Sequence, residues 1–94
     1  NNLQIDGEIK DVMSPYPIDK KFESIGFNVI VIDSHNFTEI MDAFKVARET
    51  KGKPTAIIAK TTKGKGVSFM ENKAGWHGKA PNEEEFKIAM EDLK

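Results

Sequence analysis

The sequence predicts an α/β fold built on a parallel sheet. Two aliphatic runs and the helical pattern between them carry that prediction. Asn28-Val29-Ile30-Val31-Ile32-Asp33 holds four consecutive aliphatic residues, the pattern of a strand covered on both faces, as parallel strands are. Thr55-Ala56-Ile57-Ile58-Ala59-Lys60 is a second such run. Between them Phe37, Ile40, Met41, Phe44 and Ala47 recur at helical spacing and form a stripe expected to be buried. Strand, helix and strand within about 33 residues make a βαβ unit with parallel strands and a right-handed crossover.

The remaining elements come in chain order. Leu3 and Ile5 form a short apolar alternation closed by Asp6-Gly7, a turn signal. Residues 8–17 end in Ser14-Pro15-Tyr16-Pro17, and two prolines one residue apart mark a connection rather than a helix interior. Ile18, Phe22 and Ile25 share one helical face, so a short helix is expected over 18–25, stopped by Gly26. Asn36 or Ser34 caps the helix that starts near 37. That helix ends with Lys51 in its last turn and Gly52 at C′, and Pro54 prevents its continuation. Residues 61–82 form a long loop rich in Gly and Lys. A terminal helix starts near 83, where Asn82 and Glu85 make a capping box and Phe86, Ala89, Met90 and Leu93 give it an apolar face.

Composition excludes several classes of function. The 94 residues suit one small domain or a piece of a larger one. Apolar residues at 38% and charged residues at 31% fit a globular chain and argue against disorder. A net charge of −1 argues against a strongly basic nucleic-acid binder or an acidic tail. Zero cysteines exclude a disulfide scaffold and any thiolate metal site, and fit a reducing compartment. No apolar run approaches the ~20 residues of a membrane span, and no signal peptide is visible. The chain opens Asn1-Asn2-Leu3 without an initiator Met, which reads as a cut from something longer.

In open parallel sheets ligands bind outside the carboxyl ends of the strands. The second strand of the βαβ unit runs out at Lys60, directly before the Gly/Lys loop. Lys63, Gly64, Lys65 and Gly66 offer positive charge and close backbone approach, which suits phosphate. This is not a Walker A pattern, and the same glycines equally serve turns in a solvated loop. His77, between Trp76 and Gly78, is the more pointed candidate, because imidazole hydrogen-bonds, shuttles protons and binds anions near neutral pH. A lone loop histidine is as readily a surface residue. His35 has neighbours that look like helix-capping residues, and two distant histidines without cysteine make a weak zinc hypothesis. Asn1, Asn2 and Asp6 carry hard oxygen donors of the kind Mg²⁺ or Ca²⁺ accepts, yet Asn and Asp beside Gly commonly mark a turn. The basic stretch Lys51 to Lys65 lacks an aromatic stacking platform and does not argue for nucleic acid.

Five segments taken together resemble the transketolase family. They are Asn1–Gly7, Lys21–Val29, Lys53–Thr61, Gly64–Asn72 and Trp76–Asn82, in the family's order. The similarity is nearest to the separate amino-terminal subunit of split bacterial and archaeal transketolases. It implies part of a three-layer α/β/α thiamine-diphosphate-binding domain with a parallel sheet. Within residues 1–94 the expected parts are a βαβ unit at about 28–60, an active-site loop at about 61–82 and a terminal helix at about 83–93. It also implies transfer of a two-carbon ketol unit between sugar phosphates, with thiamine diphosphate and Mg²⁺ or Ca²⁺, in a cytoplasmic enzyme of the pentose phosphate pathway.

By the same resemblance, Asn1 supplies a side-chain oxygen to the metal and Leu3 its backbone carbonyl. Ile5 packs near the thiazolium. His77 lies by the diphosphate and substrate channel as a catalytic and cofactor-binding residue. The Gly-Asp-Gly half of the family's metal motif and the glutamate that activates the aminopyrimidine are not in this sequence. Asp33-Ser34-His35 stands where relatives often have Asp-Gly-His. The expectation is therefore a fragment, inactive alone, that works with a carboxyl-terminal subunit or region in a homodimer or heterotetramer, without nucleic acid or membrane. The competing readings are a small noncatalytic phosphate-binding or partner-docking α/β module, and another thiamine-diphosphate enzyme such as deoxyxylulose-phosphate synthase. The Trp76–Pro81 run fits transketolase better than the last.

Overall fold

The computed structural model describes residues 2–94. They divide into two compact units. One is the continuous segment Pro15–Thr61, and the other joins the residues up to Ser14 with Thr62–Lys94.

The continuous unit is the βαβ unit. Strand β3 (Asn28–Asp33) pairs in parallel with β4 (Thr55–Lys60), in register from Asn28 opposite Thr55 to Asp33 opposite Lys60. Helix α3 (Phe37–Glu49) connects them. The Asn36 side chain accepts from the backbone N–H of Thr38 and Glu39, which satisfies donors the first turn leaves without partners. Of the two capping candidates, Asn36 is the one used. Helix α2 (Ile18–Ser24) precedes β3 and is closed by Gly26 at φ +91°. Phe22 on α2 meets Phe27 edge-on at 5.1 Å, and this contact seats the helix beside the strand.

Three features of this unit differ from the sequence reading. Ile32, Ala43 and Ala56 are buried, but the α3 stripe is not: Phe37 is 83% exposed, Met41 71% and Phe44 53%. A two-stranded sheet is too narrow to cover a stripe that wide, so Ala43, where the backbones approach, becomes the contact. For the same reason Val31 remains exposed, and β3 is not covered on both faces. Finally, α3 stops at Thr50, whose backbone is already extended, so the positive-φ Gly52 stands two residues beyond the cap rather than one.

The second unit begins with a two-residue hairpin. Strand β1 (Leu3–Gln4) pairs antiparallel with β2 (Gly7–Glu8) around Ile5-Asp6. Gly7 adopts φ +141°, open to glycine and strained for other residues. The chain then forms a short helix, α1 (Ile9–Met13), in the stretch expected to be only a connection. The prolines at 15 and 17 restrict the chain from Ser14 onward and place no restriction on residues 9–13. After the long loop comes α4 (Glu83–Asp92), opened by a complete Asn82/Glu85 capping box. Ala89 on α4 and Val67 in the loop are buried, while Phe86, Met90 and Leu93 are about half exposed. Among the described residues no helix is long and apolar enough to cross a membrane.

Candidate functional site

The long loop is a series of fastened turns. Its widest closure is the Asn72 N–H donating to the Lys63 carbonyl at 2.7 Å. Inside it Val67 donates to Gly64 at 3.2 Å, and Met70 and Glu71 both donate to Val67 at 3.0 and 2.9 Å. Glu71 grips the loop from within: one carboxylate oxygen pairs with Lys65 Nζ at 3.1 Å, and the other accepts the Gly66 N–H at 3.2 Å. The glycines here serve the loop's own folding. Gly64 is at φ +70°, and a Cβ on it would lie 2.7 Å from the Met70 carbonyl oxygen. The loop is also tied to α4, where Asp92 Oδ2 accepts from the Ser68 N–H at 2.8 Å and from its hydroxyl at 2.7 Å. These two hydrogen bonds, the hydroxyl first, hold the Asp92 carboxyl below the usual carboxylate range.

Beyond Asn72 the chain makes a 3₁₀ turn, Ala74–Trp76, and presents His77 at its end. Trp76 anchors that turn. Its indole N–H donates to the Phe69 carbonyl at 3.0 Å, its ring packs on Phe69 at 5.1 Å, and Lys79 Nζ lies 4.2 Å over the ring. With Trp76 pinned inward, His77 projects outward and is exposed, its backbone N–H held by Ala74 at 3.0 Å. Its Nδ1 lies 3.4 Å from Lys63 Nζ.

The amino-terminal hairpin belongs to the same unit and meets this loop. Asn2 Nδ2 donates to Asn72 Oδ1 at 3.2 Å. Leu3 is half-buried in β1, and Ile5 is 59% exposed in the turn. Asn1 lies outside the described residues. The Leu3 carbonyl faces away from the hairpin's second strand. Ile9 donates to Asn2 at 2.9 Å, which makes that pair hydrogen-bonded, and antiparallel pairs alternate. Leu3 opposite Glu8 is then the non-bonded pair, and its carbonyl points away from β2. A hard oxygen of this kind suits Mg²⁺ or Ca²⁺. The described residues contain no group of three or more His, Cys, Asp or Glu able to hold a metal.

His35 lies in the other unit. Its backbone N–H donates to Asp33 Oδ1 at 2.9 Å in the turn before the Asn36 cap, in keeping with its capping surroundings. A groove of about 330 Å³ in that unit, lined by residues including Asp19, Glu23 and Lys53, contains no histidine. Sequence reasoning singled out His77, and Lys63 as a phosphate candidate, but not the contact between them, nor Glu71 and Asn72 as the residues that shape the loop. The one available signal was Asn72 itself, since Asn tolerates the left-handed backbone it adopts at φ +59°.

Residues 1–93 match the family model described as transketolase, thiamine diphosphate binding domain. The chain belongs to this family. It is 38% identical over all 94 residues to an apulose-4-phosphate transketolase subunit of Actinobacillus succinogenes, covering 34% of that protein. It is 47% identical over 60 residues to the transketolase of Homo sapiens, a match to 64% of this chain and 9% of that protein. The fold superposes on the crystal structure of transketolase from Campylobacter jejuni with a TM-score of 0.87 and 36% identity, covering 99% of this chain and 14% of that one. The chain thus spans about a third of the length of the Actinobacillus relative, and the whole of this chain is matched. The α/β class read from the two strand runs is the class of this family's fold.

Proposed function

We propose that residues 1–94 form one part of a thiamine-diphosphate-binding domain in a transketolase. The whole protein moves a two-carbon ketol unit from a ketose phosphate to an aldose phosphate. The observation that carries the reading is the family match over residues 1–93, on a unit in which Asn2 and Asn72 tie the hairpin to the histidine loop. Bound thiamine diphosphate would supply the carbanion stabilisation that ketol transfer requires.

The chain's own residues do the holding. The Leu3 carbonyl, with the side-chain oxygen of Asn1, would hold a divalent cation, Mg²⁺ or Ca²⁺, whose charge would offset that of the diphosphate. Ile5, exposed at the hairpin turn, offers an apolar surface to the thiazolium. His77 hydrogen-bonds at the diphosphate and the substrate channel, a role that suits an imidazole near neutral pH. The Actinobacillus relative is by name one subunit of its transketolase, which supports a partner polypeptide here, with the remaining cofactor contacts on it or on another region. The same reading implies a cytoplasmic enzyme, assembled as a homodimer or heterotetramer.

Ketol transfer by the complete, assembled enzyme tests the proposal. His77→Ala is expected to lower turnover ~10²-fold or more, the scale of a lost acid–base or hydrogen-bonding group. His35→Ala is expected to leave it near wild type. Equal losses in two folded variants would refute the assignment of His77. In calorimetry the 94-residue chain alone should not bind thiamine diphosphate and Mg²⁺ with submicromolar affinity, and such binding would sink the claim of half a site.

A further inference from the structure

An ammonium group has only protons to give, so where Lys63 Nζ meets His77 Nδ1, at 3.4 Å, the ring nitrogen accepts. A neutral imidazole that accepts at Nδ1 carries its proton on Nε2. We propose that Lys63 is a positioning residue that holds His77 in the Nε2–H tautomer, leaving Nε2–H as the donor presented to an oxygen of the ligand.

A lysine side chain is long and rotates freely, so its aim depends on how its backbone is held. Lys63 is held at its carbonyl, which accepts from the Asn72 N–H at 2.7 Å across the loop. Asn72 is held in turn through its side chain, by Asn2 at 3.2 Å. Gly64, packed against the Met70 backbone, fixes the turn after Lys63. Two of the loop's other cations are engaged elsewhere, Lys65 on Glu71 and Lys79 over the Trp76 ring, and Lys63 is the one that lies on Nδ1. A hydrogen-bonded chain Asn2–Asn72–Lys63–His77 therefore runs from the hairpin beside the Leu3 carbonyl to the imidazole. Its value to catalysis rests on the role proposed above for His77; its existence does not.

The test is long-range ¹H–¹⁵N correlation on the full chain labelled with ¹⁵N-histidine, at about pH 8.5, above the range where histidine side chains ordinarily titrate. His35 serves as the internal control. Wild-type His77 is expected to show the single Nε2–H pattern. Lys63→Met should raise the Nδ1–H fraction several-fold, and Lys63→Arg, which also can only donate, should restore the wild-type pattern. Asn72→Ala keeps the backbone N–H that Lys63 accepts but removes the side-chain bond from Asn2 and puts a Cβ-bearing residue without a side-chain amide at φ +59°, so it should loosen the loop and move the spectrum in the same direction as Lys63→Met, by less. A proton on Nδ1 in the wild type overturns the proposal. So does a His77 spectrum unchanged in Lys63→Met or, should that variant not fold, in Lys63→Ala. These spectra need neither substrate nor cofactor. If they behave as expected while His77→Ala keeps full turnover, the tautomer control stands and the catalytic reading of His77 falls.

Discussion

Substituting Gly64 with alanine would test the loop that carries Lys63. Two costs add at this position. The backbone is at φ +70°, where an L-residue with a Cβ loses ~1–2 kcal/mol. The new methyl would also lie 2.7 Å from the Met70 carbonyl oxygen and 2.8 Å from its carbon. Those atoms cannot rotate away as a side-chain tip would. Met70 is fastened on both sides, donating to Val67 at 3.0 Å and accepting from Lys73 at 3.1 Å. Forcing such a contact costs a further ~1–3 kcal/mol. Gly64→Ala is thus expected to cost ~2–5 kcal/mol, a large part of a typical domain's stability. Gly78→Ala is the matched control. It has φ +74° but nothing within 4 Å of the added Cβ, so only the ~1–2 kcal/mol backbone cost applies. Urea denaturation of the two variants, with slopes compared to exclude a change in the unfolded state, reads the difference. Equal losses would show that the Gly64–Met70 approach is not a constraint, and the picture of a tightly fastened loop would be wrong.

Three other contacts can be perturbed in the same way. The Asp92 carboxyl is held below its ordinary range by Ser68, so its contribution to stability is present above the unfolded-state value and is lost as pH falls through the lower native one. Ser68→Ala should bring the Asp92 titration, followed by carboxyl ¹³C NMR, up toward an ordinary aspartate; an unmoved titration would contradict the hydrogen bonds. Asn82→Ala removes the α4 capping box and should cost ~1 kcal/mol in chemical denaturation, whereas Asn82→Asp should be nearly neutral. Phe37→Ser, on the exposed part of the α3 stripe, should change stability of the 94-residue chain by no more than ~0.5 kcal/mol. A much larger loss would mean that the stripe is buried after all.

What was legible in the sequence was whatever local chemistry dictates. Asn36 and Asn82 announce helix starts because their side chains satisfy the backbone groups a first turn leaves bare. The aliphatic runs at 28–33 and 55–60 declare strands, and the connecting helix makes them parallel. Burial was misread, because periodicity shows that Phe37, Met41 and Phe44 share a face but not whether anything covers it. Helix α1 was missed because a proline pair dominates the reading of its neighbourhood while restricting only the residues from Ser14 onward. At the candidate site His77 was visible as a residue type. Its contact with Lys63 was not, since it depends on a loop closed by Asn72 and Glu71, and no short-range pattern encodes that closure.

The division into units bears on how the proposed site is held together. The hairpin and the histidine loop belong to one unit, yet Pro15–Thr61 stands between them in the chain, and the hydrogen bond from Asn2 to Asn72 spans a sequence separation of 70. For that unit the βαβ segment acts as a tether, keeping two otherwise separate pieces at high effective concentration. Closure entropy grows only slowly with the length of a flexible loop, about 0.6 kcal/mol per doubling, so insertions in the surface turns of this folded segment cost the hairpin–loop contact little. A backbone cut within it, by contrast, would turn an intramolecular contact into a bimolecular one and leave the two sides of the proposed site on different polypeptides.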